Sequence, residues 1–170
     1  CTVGQHENLV GLLRQRVRDQ PGTAIYTFLA SEDDSADTLS YAGLDRRSRA
    51  IAQLLKGRQV PRGQPVLLLF NPGVDYISAF FGCLYAGAIP VPAYPPTHAR
   101  QLGRLQAIVD DAASEFALTA RAEFDSIRAM GEAGAALSIS QWLVVEEAGQ
   151  DADDWVDPAL DASSIAFLQY

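Results

Sequence analysis

Hydrophobic positions along the chain change period repeatedly, and each change marks an element. From about Glu7 to Asp19, Leu9, Leu12, Leu13, Arg16 and Val17 recur at helical spacing, with Arg14 and Arg18 on the outer face and Pro21-Gly22 as the stop. Ala24 to Leu29 is β-branched and aromatic and predicts a strand. Ser31 to Asp37 is an acidic turn, and a short strand ends at Leu39-Ser40. Ser40 is a suitable N-cap for the next helix, whose stripe is Tyr41, Leu44, Ser48, Ile51, Leu54 and Leu55, with Gly57 as the expected C-cap. Val66 to Phe70 is a continuous apolar run between Pro65 and Asn71-Pro72-Gly73, the pattern of a strand buried on both faces.

The remainder alternates. Helices are predicted over Asp75 to Gly87, Arg100 to Ala113 (Leu102, Leu105, Ile108 and Val109 inward) and Ala122 to Gly131. Strands are predicted at Ile89 to Val91, Phe116 to Leu118, Trp142 to Val145 and Ile165 to Tyr170, the last after an acidic stretch from Glu146 to Asp161. Strand–helix–strand repetition with connections this long requires parallel pairing and right-handed crossovers. The expected fold is therefore α/β, a mostly parallel sheet covered by helices on both faces. Residues 1–170 read as one incomplete domain, with 146–161 a surface excursion anchored by Trp155. Ligands of such sheets sit on loops at the carboxyl ends of strands, and the loop expected after Tyr170 lies beyond the chain. A start at Cys1 reads as a processed, trimmed or excised chain.

Composition narrows the function. A chain of 170 residues, 48% hydrophobic, can bury about 70% of its unfolded surface and is not disordered. A net charge of −8 excludes a nucleic-acid partner and an anionic membrane surface, both of which need a cationic face. Lys56 is the single lysine among 13 basic residues, so any lysine-dependent step uses Lys56 or lies outside the chain. Cys1 and Cys83 make no disulfide framework; Cys83, inside an apolar helix, reads as a buried thiol in a reducing, cytoplasmic compartment. The uncharged run Tyr76 to Ala99 is broken by Gly87 and four prolines, too short a helix for a bilayer of ~30 Å, and no transmembrane segment is expected.

Candidate chemistry is sparse. No complete phosphate-binding motif occurs; Gly82 and Gly87 read as close packing and a C-cap. His6 and His98 have no partners at ligand spacing, so no metal site is expected, and a Cys83–His98 dyad lacks an activating charge. The acidic pairs Asp33-Asp34, Asp110-Asp111 and Asp153-Asp154 read as solvated. The run Ile89 to Pro96 reads as a rigid strand exit rather than a ligand for a proline-recognising domain.

Three segments carry a family resemblance. Leu39-Ser40-Tyr41-Ala42-Gly43-Leu44-Asp45 resembles the early Leu-(Thr/Ser)-Tyr-x-Glu-Leu-Asp segment of adenylate-forming enzymes, with Gly43 in place of the glutamate. Phe80-Phe81-Gly82-Cys83-Leu84-Tyr85-Ala86-Gly87-Ala88-Ile89-Pro90-Val91-Pro92-Ala93-Tyr94-Pro95-Pro96 is similar to the form this region takes in fatty acyl-AMP ligases. Ala166-Phe167-Leu168-Gln169-Tyr170 resembles the strand that leads into their Thr-Ser-Gly-Ser-Thr-Gly phosphate loop. The resemblance implies the first part of an adenylate-forming N-terminal domain. It further implies a parent enzyme that uses ATP and Mg²⁺ to turn a fatty acid into an acyl-adenylate. That adenylate is then passed to an acyl carrier protein, commonly in polyketide or lipopeptide synthesis. The chain alone is expected to be inactive and to bind neither ATP nor Mg²⁺ tightly. No catalytic or metal-binding residue carries over, and substrate-binding residues stay unassigned; Gln169 and Tyr170 are nearest to the implied site. An acyl-CoA synthetase, an amino-acid adenylation domain and a non-catalytic interaction module remain as alternatives.

A sheet ending at a strand that would be central in the parent exposes an unpaired edge and an apolar face. The 170-residue chain is expected to self-associate, and a monodisperse monomer by light scattering at high concentration would overturn this.

Overall fold

A computed structural model describes residues 8–29, 36–149 and 154–170. In chain order the elements are α1 (Leu9–Asp19), β1 (Ala24–Leu29), β2 (Ala36–Ser40), α2 (Tyr41–Gly57), β3 (Pro65–Leu69), α3 (Val74–Ala86), β4 (Ile89–Ala93), α4 (Leu102–Ala112), β5 (Phe116–Thr119), α5 (Arg121–Arg128), α6 (Glu132–Ala135) and β6 (Gln141–Val144). The main sheet has the order β4-β3-β5-β6, all parallel. Strands β1 and β2 form a separate antiparallel pair.

The sheet is a sandwich filling. Val66 and Leu68 of β3 pack with Phe116, Leu118 and Leu143 against Ile51 and Leu55 of α2 and Ala79 and Cys83 of α3. Leu67 and Leu69 face the other way, with Val91 and Ala117, against Leu102, Leu105 and Val109 of α4 and Ile127 of α5. Alternate β3 side chains thus fill opposite cores, which is why the run is apolar without a break. A third cluster joins α1, α2 and α3 through Val10, Leu13, Leu44, Leu84 and Tyr85.

Local signals placed the helix ends. Asn8 Oδ1 accepts from Gly11 N–H at 2.8 Å and Ser40 Oγ from Gly43 N–H at 3.1 Å, two side-chain N-caps. Gly87 closes α3 in the left-handed region at φ 73°, where its N–H and that of Ala88 take up carbonyls of the last turn. Two further hydroxyls tie β3 to β5. Ser114 Oγ accepts from Leu67 N–H at 3.1 Å, and Thr119 Oγ1 donates to the Leu69 carbonyl at 2.7 Å.

The structure corrects four expectations. On α1 the buried positions are Val10 and Leu13, whereas Leu9 and Leu12 are exposed and line a shallow groove with Leu160 and Ile165. The inward stripe is rotated because the third cluster, not the sheet, is what α1 covers. Arg14 is correspondingly not on a free outer face: it pairs with Asp157 at 2.8 Å. Gly57 is the last residue of α2 rather than its cap; Arg58 caps it and Gln59 takes the left-handed turn at φ 59°. Residues 31–35 of the expected acidic turn lie outside the described residues, and β2 already begins at Ala36.

The fourth correction concerns Ile165 to Tyr170, which form no strand. Ile89 N–H donates to Gln64 O, so Ile89, Val91 and Ala93 turn their backbone groups toward β3, and Pro90 and Pro92 turn theirs outward. Proline has no N–H, so this outer edge offers acceptors only. Leu168 N–H donates to Pro90 O at 3.1 Å, and the reciprocal bond from Pro92 cannot exist. Side chains still alternate as in a strand: Phe167 meets Phe80 at 5.7 Å between centroids, while Leu168 packs on the α4 side. The sequence pattern reported the faces; the prolines deny the ladder.

Where α2 crosses α3, a Cβ on Gly82 would lie 2.7 Å from Ile51 Cβ. Gly82→Ala should destabilise the fold by about 1–3 kcal/mol through overpacking. Adding Ile51→Ala should recover part of the loss in thermal unfolding, and additive losses in the pair would count against this contact.

Candidate functional site

Two places at the carboxyl ends of the parallel strands are candidates for a ligand. The strand order reverses between β3 and β5, because β3 leads to β4 on one side and β4 returns to β5 on the other. At that switch point the protein's own groups meet. Asn71 Nδ2 donates to Glu123 Oε1 at 2.8 Å, and the Glu146 carboxylate accepts from Arg121 N–H at 3.0 and 3.1 Å, at the positive end of α5. Glu147 pairs with Arg58 at 2.7 Å and with Arg121 at 3.1 Å.

The open place lies beside it, at the ends of β3 and β4. A cleft of about 570 Å³ is walled by Phe70 and Pro72 after β3 and by Tyr76 and Phe80 of α3. The exit of β4 from Pro92 to Pro96, Gln101, Arg104, Leu105 and Ile108, and Phe167, Gln169 and Tyr170 complete it. Its walls are mainly aromatic and aliphatic, with polar groups from Tyr76, Tyr94, Gln101, Arg104, Gln169 and Tyr170, the composition of a small-molecule pocket. Proline at 92, 95 and 96 fixes the backbone of one wall, and Tyr94 projects from it, 84% exposed. Burial, reinforced by the nearby Tyr94 and Tyr26 phenols, raises the Tyr76 pKa above its ordinary value. Gln169 and Tyr170 do lie at this cleft, and the Tyr170 hydroxyl donates to Asp111 Oδ2 at 2.6 Å, which raises its pKa.

The other residues singled out in the sequence do not converge. Cys83 is fully buried between α2, α3 and the sheet, and burial pushes its thiol pKa up. His98 is exposed at the turn before α4, so no Cys83–His98 dyad forms. Lys56 is exposed at the end of α2. Asp110 accepts from Gln106 and Asp111 from Tyr170, so those neighbours diverge. Cys1, His6, Asp33, Asp34 and Asp153 lie outside the described residues. Among the described residues no three His, Cys, Asp or Glu side chains are grouped together.

Sequence reasoning missed one cluster. Asp45 is buried and accepts from Tyr85 Oη at 2.7 Å and from Arg49 Nε at 2.8 Å. The Arg49 pair is at helical i, i+4 spacing, which brings the two side chains together. Burial, then the bond to Asp45, raises the Tyr85 pKa. Trp155 covers this cluster, its Nε1–H donating to Tyr85 O at 2.8 Å. The signal available was Asp45 at the end of an otherwise apolar helical turn, but its partner Tyr85 lies forty residues on.

An open parallel sheet with an apolar cleft at its carboxyl end defines a ligand-binding α/β domain. The model of the family described as AMP-binding enzyme matches residues 13–170, and the chain belongs to that family. Within it the likeness is to fatty acyl-AMP ligases. The medium-chain-fatty-acid–acyl-carrier-protein ligase JamA of Moorena producens (strain JHB) is 33% identical over 171 residues, 98% of this chain and 29% of its own length. The crystal structure of the fatty acyl-adenylate ligase from L. pneumophila in complex with acyl adenylate and pyrophosphate superposes with a TM-score of 0.88 at 34% identity, over 98% of this chain and 28% of that one. Disco-interacting protein 2 of Drosophila melanogaster is 43% identical over 89 residues, 52% of this chain and 5% of its own length. The chain thus spans under a third of each of these relatives.

Cys83 should resist thiol reagents near pH 8 in the folded protein and react only on unfolding. In a Cys1→Ser background, native labelling as fast as a free peptide thiol, or labelling slowed by His98→Ala, would show a reactive cysteine instead.

Proposed function

We propose that the chain is the N-terminal portion of a fatty acyl-AMP ligase. The superposition on the L. pneumophila acyl-adenylate ligase over 98% of the chain, at 34% identity, is the observation that supports this reading most. In the proposed reaction the fatty acid carboxylate attacks the α-phosphorus of ATP, forming the acyl–phosphate bond and releasing pyrophosphate. The acyl group then passes to the phosphopantetheine thiol of an acyl carrier protein, with release of AMP. The proposed location is the cytoplasm, a reading supported by the free, buried thiol of Cys83, and among the described residues no helix is long and apolar enough to cross a membrane.

The chain's own residues hold the framework of that site. The β3–β5 pairing fixed by Ser114 and Thr119, and the proline exit of β4, set the walls against which Gln169 and Tyr170 stand. Charge neutralisation at the phosphates would come from ATP-bound Mg²⁺ and groups beyond these residues. The 170-residue chain is proposed to be inactive alone. A second reading, a non-catalytic interaction module, draws on the likeness to Disco-interacting protein 2.

Fatty-acid-dependent exchange of pyrophosphate into ATP by the full gene product tests the proposal. Exchange with medium- or long-chain acids, transfer to carrier protein and not to CoA, and none by residues 1–170 are expected. Amino-acid-dependent exchange or transfer to CoA would favour a sister enzyme, and no exchange with any acid would favour the interaction module.

A further inference from the structure

Residues 154–161 cross the outer side of the helices and are held there from widely separated parts of the chain. The Trp155 ring lies on Tyr85 with centroids 4.7 Å apart, and its Nε1–H donates to the Tyr85 carbonyl. The guanidinium carbons of Arg14 and Arg49 each stand 5.0 Å from the indole centroid. Arg62 donates to the Pro158 carbonyl, Arg14 pairs with Asp157, and Asn8 Nδ2 donates to the Leu160 carbonyl at 2.6 Å. The ring beneath the indole is itself fixed, since Tyr85 is bonded to the buried Asp45.

Beyond this clamp the hold on the chain weakens. Residues 165–170 run along the outer edge of β4 with one backbone bond, Leu168 N–H to Pro90 O. Because Pro90 and Pro92 donate nothing, no ladder sets the register of the segment. A slip of two residues would keep the alternation of faces and would break that bond, the Phe80–Phe167 contact and the exposed Tyr170–Asp111 bond. Yet this segment carries Phe167, Gln169 and Tyr170 into the cleft.

We infer that Trp155 is a positioning residue. Clamped on Tyr85 between Arg14 and Arg49, it sets from upstream where Phe167, Gln169 and Tyr170 stand along an edge that cannot set their register itself. The consequence for the reaction rests on the ligase reading: these three side chains wall the cleft, so their displacement should weaken binding of the substrate that the cleft takes.

The test uses the full gene product carrying Trp155→Ala or Trp155→Phe. Hydrogen–deuterium exchange at the amides of 165–170 should quicken at least about tenfold in Trp155→Ala, with β3 and β5 still protected. Trp155→Phe keeps a ring but loses the N–H donor, and should fall between. The KM for ATP or for the fatty acid should rise at least about tenfold in Trp155→Ala, since misplacement by ~1 Å can cost 10²-fold. Should Trp155→Ala not fold, Arg62→Ala removes only the Pro158 contact and should quicken the same amides severalfold. Unchanged exchange at 165–170 in a folded variant, or faster exchange with both KM values unchanged, overturns the inference. A wild-type protein that makes no adenylate overturns the ligase reading instead, and the exchange measurement then decides the positioning by itself.

Discussion

Val66, Leu67, Leu68 and Leu69 are completely buried, two on each face of the sheet, so β3 must be covered twice. At about 1.5–3 kcal/mol for each side chain taken from water, this strand contributes more than any single contact around it. The need for two covers orders the other layers. The helices α2 and α3 take one face and α4 and α5 the other, and the connections between strands are long enough only because each contains one of those helices. The approach of α2 to α3 at Gly82 is a further demand on the same layer, since a side chain there would push the two helices apart at Ile51.

The prolines of β4 give the sheet an asymmetric edge. Facing β3, the strand pairs along its whole length; facing outward, it accepts and does not donate. Such an edge is poor at recruiting a further strand, which is a known protection against unwanted pairing. It also leaves the terminal segment attached by side chains, and those side chains line the cleft. Stiffness on one wall and a weak ladder on the other therefore arise from the same proline-rich run, with Pro92 contributing to both.

Charge is handled differently in the two halves of the carboxyl-end surface. At the switch point, Glu146 occupies the N-terminus of α5, so the helix dipole is satisfied internally. In the cleft next to it aromatic and aliphatic side chains make up most of the wall.

Much of this was legible in the sequence because it is local. The uninterrupted apolar run from Val66 to Phe70, the periodic stripes of α2 and α4, the Ser40 cap and the Gly87 terminus report backbone conformation and burial within a few residues, and each has the predicted place. The fold class and the family followed from those patterns and from the segments around Leu39 and Phe80. What the sequence could not determine depends on which distant groups meet. The face of α1 turned because its partner is a cluster of helices; Asp45 is buried because Tyr85 and Arg49 satisfy it; Trp155 found an indole-sized platform seventy residues upstream. Ile165 to Tyr170 show the division most plainly. Alternation of side chains is a property of the segment itself and was visible, whereas a ladder needs donors on the neighbouring edge, and only the tertiary structure brought Pro90 and Pro92 alongside to withhold them.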